Sequence, residues 1–115
     1  LRTAHFGPMH PDTLAAMNNL AKSLMHTGAM EDAIRMHKQA AKGYVQVFGE
    51  EHPYTLTALE NLALALDAAQ VYQDSFQLWH QLYLVRARQL KKDDPQVICA
   101  MEHMEQAARM AAGQA

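Results

Sequence analysis

Seven histidines and one cysteine are the residues of this 115-residue chain most able to do chemistry. Imidazole and thiolate bind soft and borderline metals, move protons and activate nucleophiles, but each role needs partners at particular spacings. The sequence supplies few of them. His26, His80 and His103 have no second histidine four residues on, and Glu102-His103 lacks the spacing of a metal-binding helix face. Cys99 and His103 stand four apart, which sets one sulfur and one nitrogen on one helix face, too few to close a site. Ser23 and Ser75 lie in no nucleophile elbow and beside no readable base. Gly7 and Gly49 come without the lysine of a phosphate-cradling loop. The expectation is no catalytic residue, no metal site, no cofactor and no enzymatic activity.

Composition narrows the remaining classes. Half the residues are hydrophobic, yet mean hydropathy is -0.26, so the apolar groups must be patterned rather than massed. Ten basic and twelve acidic residues leave a net charge of -2. No basic block offers a nucleic-acid footprint. The longest apolar stretch, NLALALDAAQVY, carries Asp67 and falls short of the ~20 residues of a membrane span. The single cysteine excludes an intramolecular disulfide and predicts a buried free thiol in a reducing, cytoplasmic setting. Opening on Leu1 with no signal pattern, the chain reads as a piece of something longer.

The histidines at 10 and 52 belong to a larger regularity. FGPMHPDTLAAMNNLA from Phe6 and FGEEHPYTLTALENLA from Phe48 are identical at ten of sixteen positions, 42 residues apart. The same shift aligns Pro11, Pro53 and Pro95, then Leu14, Leu56 and Ile98, then Ala16, Ala58 and Ala100, and Leu20, Leu62 and Met104. Such a period marks a solenoid. The expected division is a tail of a preceding repeat at 1–5, repeats at 6–47 and 48–89, and the first helix of a third repeat with a C-terminal tail at 90–115.

Each repeat reads as two helices. The three prolines suit the first helical position, where no N–H partner is needed, and Asp12 and Asp94 lie near the positive pole of the helix. Leu14, Met17, Leu20, Ala21 and Leu24 follow helical spacing, and Gly28 offers a left-handed stop. Met30, Ala33, Ile34, His37, Ala40, Ala41, Tyr44 and Val45 form a second apolar face. Repeat two copies the plan through Leu56, Leu59, Leu62, Ala63 and Leu66, then Tyr72, Phe76, Trp79, Leu82, Tyr83 and Val85. His10 and His52 then read as capping or packing residues at the inter-repeat turn, and His37 as a core residue. Ile98, Met101, Met104 and Ala108 are the expected packing face of the fifth helix. The fold class is all-α.

The string HPDTLAAMNNLAKSLMHTGAMEDAIRMHKQAAKGYVQVFGEEHP resembles the 42-residue tetratricopeptide (TPR) repeat of kinesin light chains, a repeat also found in the tails of STAND receptors. His10 to Thr13, Asn19 to Ala21, Gly28, Glu31, Ala33, Ala40 and Phe48-Gly49 carry the resemblance. It implies a TPR-type α-solenoid of antiparallel helix pairs, two and a half repeats and five helices long. It also implies close helix crossings at Ala21, Ala33, Ala40 and Ala63. Repeat two departs from the pattern with Gln70, Ser75, Leu82 and Trp79 where repeat one has Gly28, Ala33, Ala40 and His37, which predicts altered packing there.

Taken with that resemblance, the first helix of each repeat lines a concave groove. The implied groove residues are Asn18, Asn19, Lys22 and His26, then Thr57, Glu60, Asn61, Leu64 and Asp67, then Cys99, Glu102, His103, Gln106 and Arg109. An amide donates and accepts together, so Asn19 and Asn61 suit the backbone of an extended peptide. Lys22 and Arg109 stand against Glu60, Asp67 and Glu102, which favours a mixed-charge or apolar ligand over a strongly acidic one. The reading is a non-catalytic protein-interaction module with a protein or peptide partner, and with neither nucleic acid nor membrane. Alternatives are a spacer or sensor segment of a larger receptor, or self-assembly by end-to-end stacking through the uncovered fifth helix.

Overall fold

The computed structural model describes residues 10–114; the expectations placed on Phe6, Gly7 and the 1–5 tail lie outside them. Five helices make up the described chain: α1 (Pro11–His26), α2 (Met30–Phe48), α3 (Pro53–Ala68), α4 (Tyr72–Gln89) and α5 (Pro95–Gln114). No strand occurs among the described residues. The chain divides into two compact units, the first ending at Ala65 and the second beginning at Leu66.

Proline opens α1, α3 and α5, and the residue before it caps each helix. His10 Nδ1 accepts the Asp12 N–H at 3.1 Å, His52 Nδ1 accepts the Tyr54 N–H at 3.0 Å, and Asp94 Oδ1 accepts the Gln96 N–H at 2.9 Å. The two histidines therefore present an unprotonated Nδ1 to an orphan backbone donor, the task aspartate performs in α5. His52 also stacks on Phe48 at 4.5 Å between ring centroids, and Tyr54 meets Phe48 edge-on at 5.4 Å. This aromatic cluster fixes the entry of α3 after α2.

Both hairpin turns use one hydrogen-bond scheme. The Ala29 N–H reaches back to Leu24 O at 2.8 Å and the Gly28 N–H to Met25 O at 3.1 Å; Val71 to Leu66 at 2.9 Å and Gln70 to Asp67 at 3.0 Å repeat it. The scheme needs a left-handed residue just past the helix. Gly28 supplies it at φ 87°, and Gln70 is driven to φ 64° in the same place. At the end of α2, Gly49 takes φ 90° and lets the helix run to Phe48. Lys91 stands 42 residues later, and α4 stops at Gln89.

In the first unit α1 packs along α2. Leu14, Ala21, Ala33 and Ala40 are at most 1% exposed, so the small residues expected at the close crossing are buried there. The Thr55 hydroxyl donates to Tyr44 O at 3.1 Å, tying α3 to α2. On α3 the core line continues through Leu56, Leu59 and Ala63, and a second line, Ala58, Leu62 and Ala65, is buried as well. The matching second line on α1 is not covered. Leu20, expected in the core, is 48% exposed, because one packed neighbour covers only one stripe of a helix.

In the second unit α4 packs along α5. Ser75 and Leu82 are fully buried in the places of Ala33 and Ala40. The face that α5 buries is Val97, Ala100 and Ala107, not the expected line of Ile98 and Ala108, both of which are exposed. The packing edge lies one residue back because α5 meets the helix that precedes it. Ile98 aligns with Leu14, which is buried in a helix that packs on the one following it. Cys99 sits beside Ile98 on the outward side and is exposed, against the expectation of a buried thiol. Glu105, aligned with the fully buried Ala21 and Ala63, is also exposed.

Two outcomes follow for stability. Ala33→Arg forces a long cation into a fully buried crossing and should cost several kcal/mol, about 3 or more, enough to unfold the first unit. An unchanged melting temperature would show that the crossing lies elsewhere. Gln70→Gly relieves a left-handed side-chain residue and should raise the urea midpoint, by about 1 kcal/mol of stability.

Candidate functional site

The site is built from a histidine that the fold buries. His37 is 1% exposed on α2, and Asn18 of α1 holds it through Oδ1 at 3.3 Å from Nδ1. Burial and the neighbouring Tyr54 push the Tyr44 phenol up, while Asn18 pulls it partly back. An amide oxygen accepts and cannot donate, so His37 carries its proton on Nδ1. Its other ring nitrogen, Nε2, has no partner among the described residues.

His37 lines a cleft of about 330 Å³ in the first unit with Lys22, Met25, His26, Asn61 and Leu64. Lys22, His26 and Leu64 are exposed at its mouth and Asn61 is half-buried. The wall is mainly apolar and carries one amide, one ammonium, two imidazoles and no carboxylate. It is suited to an apolar group with a few hydrogen bonds, the usual make-up of a ligand cleft.

Of the residues expected in the groove, Lys22, His26, Asn61 and Leu64 come together in this cleft. Asn18 is turned inward to His37. Asn19 and Thr57 are exposed outside the lining, and Glu60 is half-buried.

The second unit treats its share differently. Asp67 accepts the Trp79 indole N–H at 3.0 Å and also the Ser75 hydroxyl. His103 stacks on Trp79, with 4.2 Å between centroids and 11° between planes. Asp67 and His103 are thus engaged by the repeat-two departures, Ser75 and Trp79. Glu102, His103 and Gln106 line a cleft of about 350 Å³ with Pro95, Ile98 and Cys99, all on α5; Arg109 is exposed beyond it.

Sequence reasoning missed Met25 and the role of His37 in the cleft. A polar residue on an apolar helix face needs a partner, and Asn18 was the signal available. Among the described residues no group of three or more His, Cys, Asp or Glu side chains could hold a metal, and no helix is long and apolar enough to cross a membrane.

A family model described as tetratricopeptide repeat matches residues 12–78. Two solved structures are similar: a Podosopora anserina protein described as a kinesin light chain with nearly identical TPR-like repeats, and a single-substitution variant of it. They align with TM-scores of 0.80 and 0.79 at 23% and 24% identity, each over 91% of this chain. At that identity the likeness shows the fold, and this chain spans 50% of the length of each. No curated protein matches the sequence.

The histidine also gives the unit a pH dependence. Burial first, and the Lys22 ammonium second, hold His37 below its ordinary value of 6.5. Between the lowered value and 6.5 the unfolded chain binds more protons than the folded one, so stability falls as pH drops below 6.5 and levels off past the folded value. The urea midpoint should therefore fall between about pH 7.5 and about pH 5.5, and fall less in His37→Phe. Equal falls in the two proteins would remove His37 from the linkage.

Proposed function

We propose that this chain, which belongs to the tetratricopeptide repeat family, is a non-catalytic module that anchors a peptide or a helix of a protein partner in the first-unit cleft. Tetratricopeptide repeats are protein-interaction modules, and stacked helix pairs give them long binding surfaces. The observation that carries the reading is the gathering of Lys22, His26, Asn61 and Leu64 with Met25 and His37 around one mainly apolar opening. Asn61 can donate to and accept from a peptide unit whatever side chains it bears. Met25 and Leu64 give an anchoring side chain apolar surface to cover. Among the described histidines, His10 and His52 cap helices, His37 bonds Asn18, and His80 and His103 stack on Phe76 and Trp79. The exposed thiol of Cys99 suits a reducing, cytoplasmic setting.

Self-association through α5 is the second reading, favoured by Ile98 at 37% and Met110 at 44% exposure. Glu105, placed where Ala21 and Ala63 are buried, opposes a close helix crossing on that face.

Selecting a displayed peptide library against the folded chain tests the first reading. Enriched peptides should lose about tenfold or more in affinity for a Lys22→Ala, Asn61→Ala variant of equal melting temperature. Equal binding to both forms, or no enrichment at all, overturns it; a concentration-dependent dimer in sedimentation would then point to α5.

A further inference from the structure

The cleft's lining holds one buried residue. His37 is buried to 1% exposure yet lines the opening. Asn18 fixes its ring and occupies Nδ1, which leaves Nε2 as the one polar atom the ring can offer an occupant. A neutral imidazole protonated on Nδ1 accepts at Nε2 and cannot donate there. Burial and Lys22 keep it in that neutral form. The groups around it are Lys22 and His26 from α1 and Tyr44 on its own helix; α3 brings Asn61 and Leu64, neither of which ionises.

From this arrangement we infer that the first-unit cleft selects an apolar side chain tipped by a single hydrogen-bond donor, an O–H or N–H, with His37 Nε2 as the specificity-determining acceptor. The inference rests on the cleft being the peptide anchor proposed above. Met25 and Leu64 take the apolar body, and about 330 Å³ admits a group of the size of a substituted benzene ring. An occupant without a donor desolvates Nε2 and leaves it unpaired, an unfavourable outcome for a buried acceptor. A ligand that brings a carboxylate instead would draw a proton onto His37 and bind better in acid. A donor-bearing ligand binds worse in acid, because protonation removes the acceptor. The two chemistries thus differ in the sign of their pH dependence.

The test uses three small probes of one shape: p-cresol, 4-methylanisole and 4-methylbenzoate. Each is titrated into the full chain and followed by amide NMR shifts at Met25, His26, Asn61 and Leu64. The expected result is that p-cresol binds about tenfold more tightly than 4-methylanisole and weakens on acidification through the His37 titration. In His37→Phe that preference should vanish. Should the variant fail to fold, long-range proton–nitrogen spectra of the wild-type ring decide instead, with Nε2 unprotonated in the free chain and shifted by p-cresol alone. Equal binding of the cresol and the anisole overturns the donor selectivity and leaves the cleft a ligand site. Tightest binding by 4-methylbenzoate, rising in acid, overturns it in favour of an anion site. If no probe moves any cleft residue, the anchoring function proposed above falls together with this inference.

Discussion

Close helix crossing is the constraint on which the rest of the first unit depends. Ala21, Ala33 and Ala40 are fully buried, and only side chains of that size let α1 and α2 approach so nearly. Larger neighbours then interlock around them: Leu14 at 1% exposure, Tyr44 at 7% and His37 at 1%. Once the crossing is set, a polar ring at position 37 has nowhere to go but inward, and Asn18 on the facing helix becomes its obligatory partner. The same closeness brings Lys22, Met25 and His26 alongside His37. The cleft is a by-product of packing before it is anything else.

The second unit shows what happens when several positions of the repeat change together. Ser75 replaces an alanine, Trp79 a histidine and Asp67 a methionine, each 42 residues on from its counterpart. Singly, each substitution is unfavourable: a half-buried carboxylate, a bulky indole and a buried hydroxyl all need partners. Jointly they satisfy one another, with Asp67 taking both the Ser75 hydroxyl and the Trp79 indole N–H. His103 then covers the exposed face of the indole. Gln70 pays for conformity to the turn with a left-handed backbone, and its carbonyl accepts the Gln114 side-chain amide at 2.8 Å.

Much of this fold was legible because the residues that set helix limits act locally. Proline starts α1, α3 and α5 wherever it occurs, and Gly28 ends its turn without reference to anything distant. Gln70 reads as a departure from the turn glycine, yet it keeps the turn, and nothing in glutamine itself calls for φ 64°. Which stripe a helix buries is a tertiary matter, and there the pattern misled. Leu20, Ile98 and Ala108 have the right spacing and the wrong neighbours. Cys99 was misplaced for the same reason, its environment being set by which side of α5 meets α4. Within the site, the family resemblance brought out Lys22, His26, Asn61 and Leu64 but not His37, whose position on α2 read as core alone.

That double character of His37 follows from one comparison. Position 37 and position 79 are the same place in the repeat, and both side chains are 1% exposed. Trp79 has one polar atom, spends it on Asp67, and stacks its face on His103, so nothing of its hydrogen-bonding capacity is left over. An imidazole has two ring nitrogens at a fixed separation, and Asn18 can satisfy only one of them. A histidine at this position therefore keeps one acceptor over, where the tryptophan keeps none. Burying it without a second partner is tolerable only where its remaining nitrogen borders an opening, and in the first unit the opening is there.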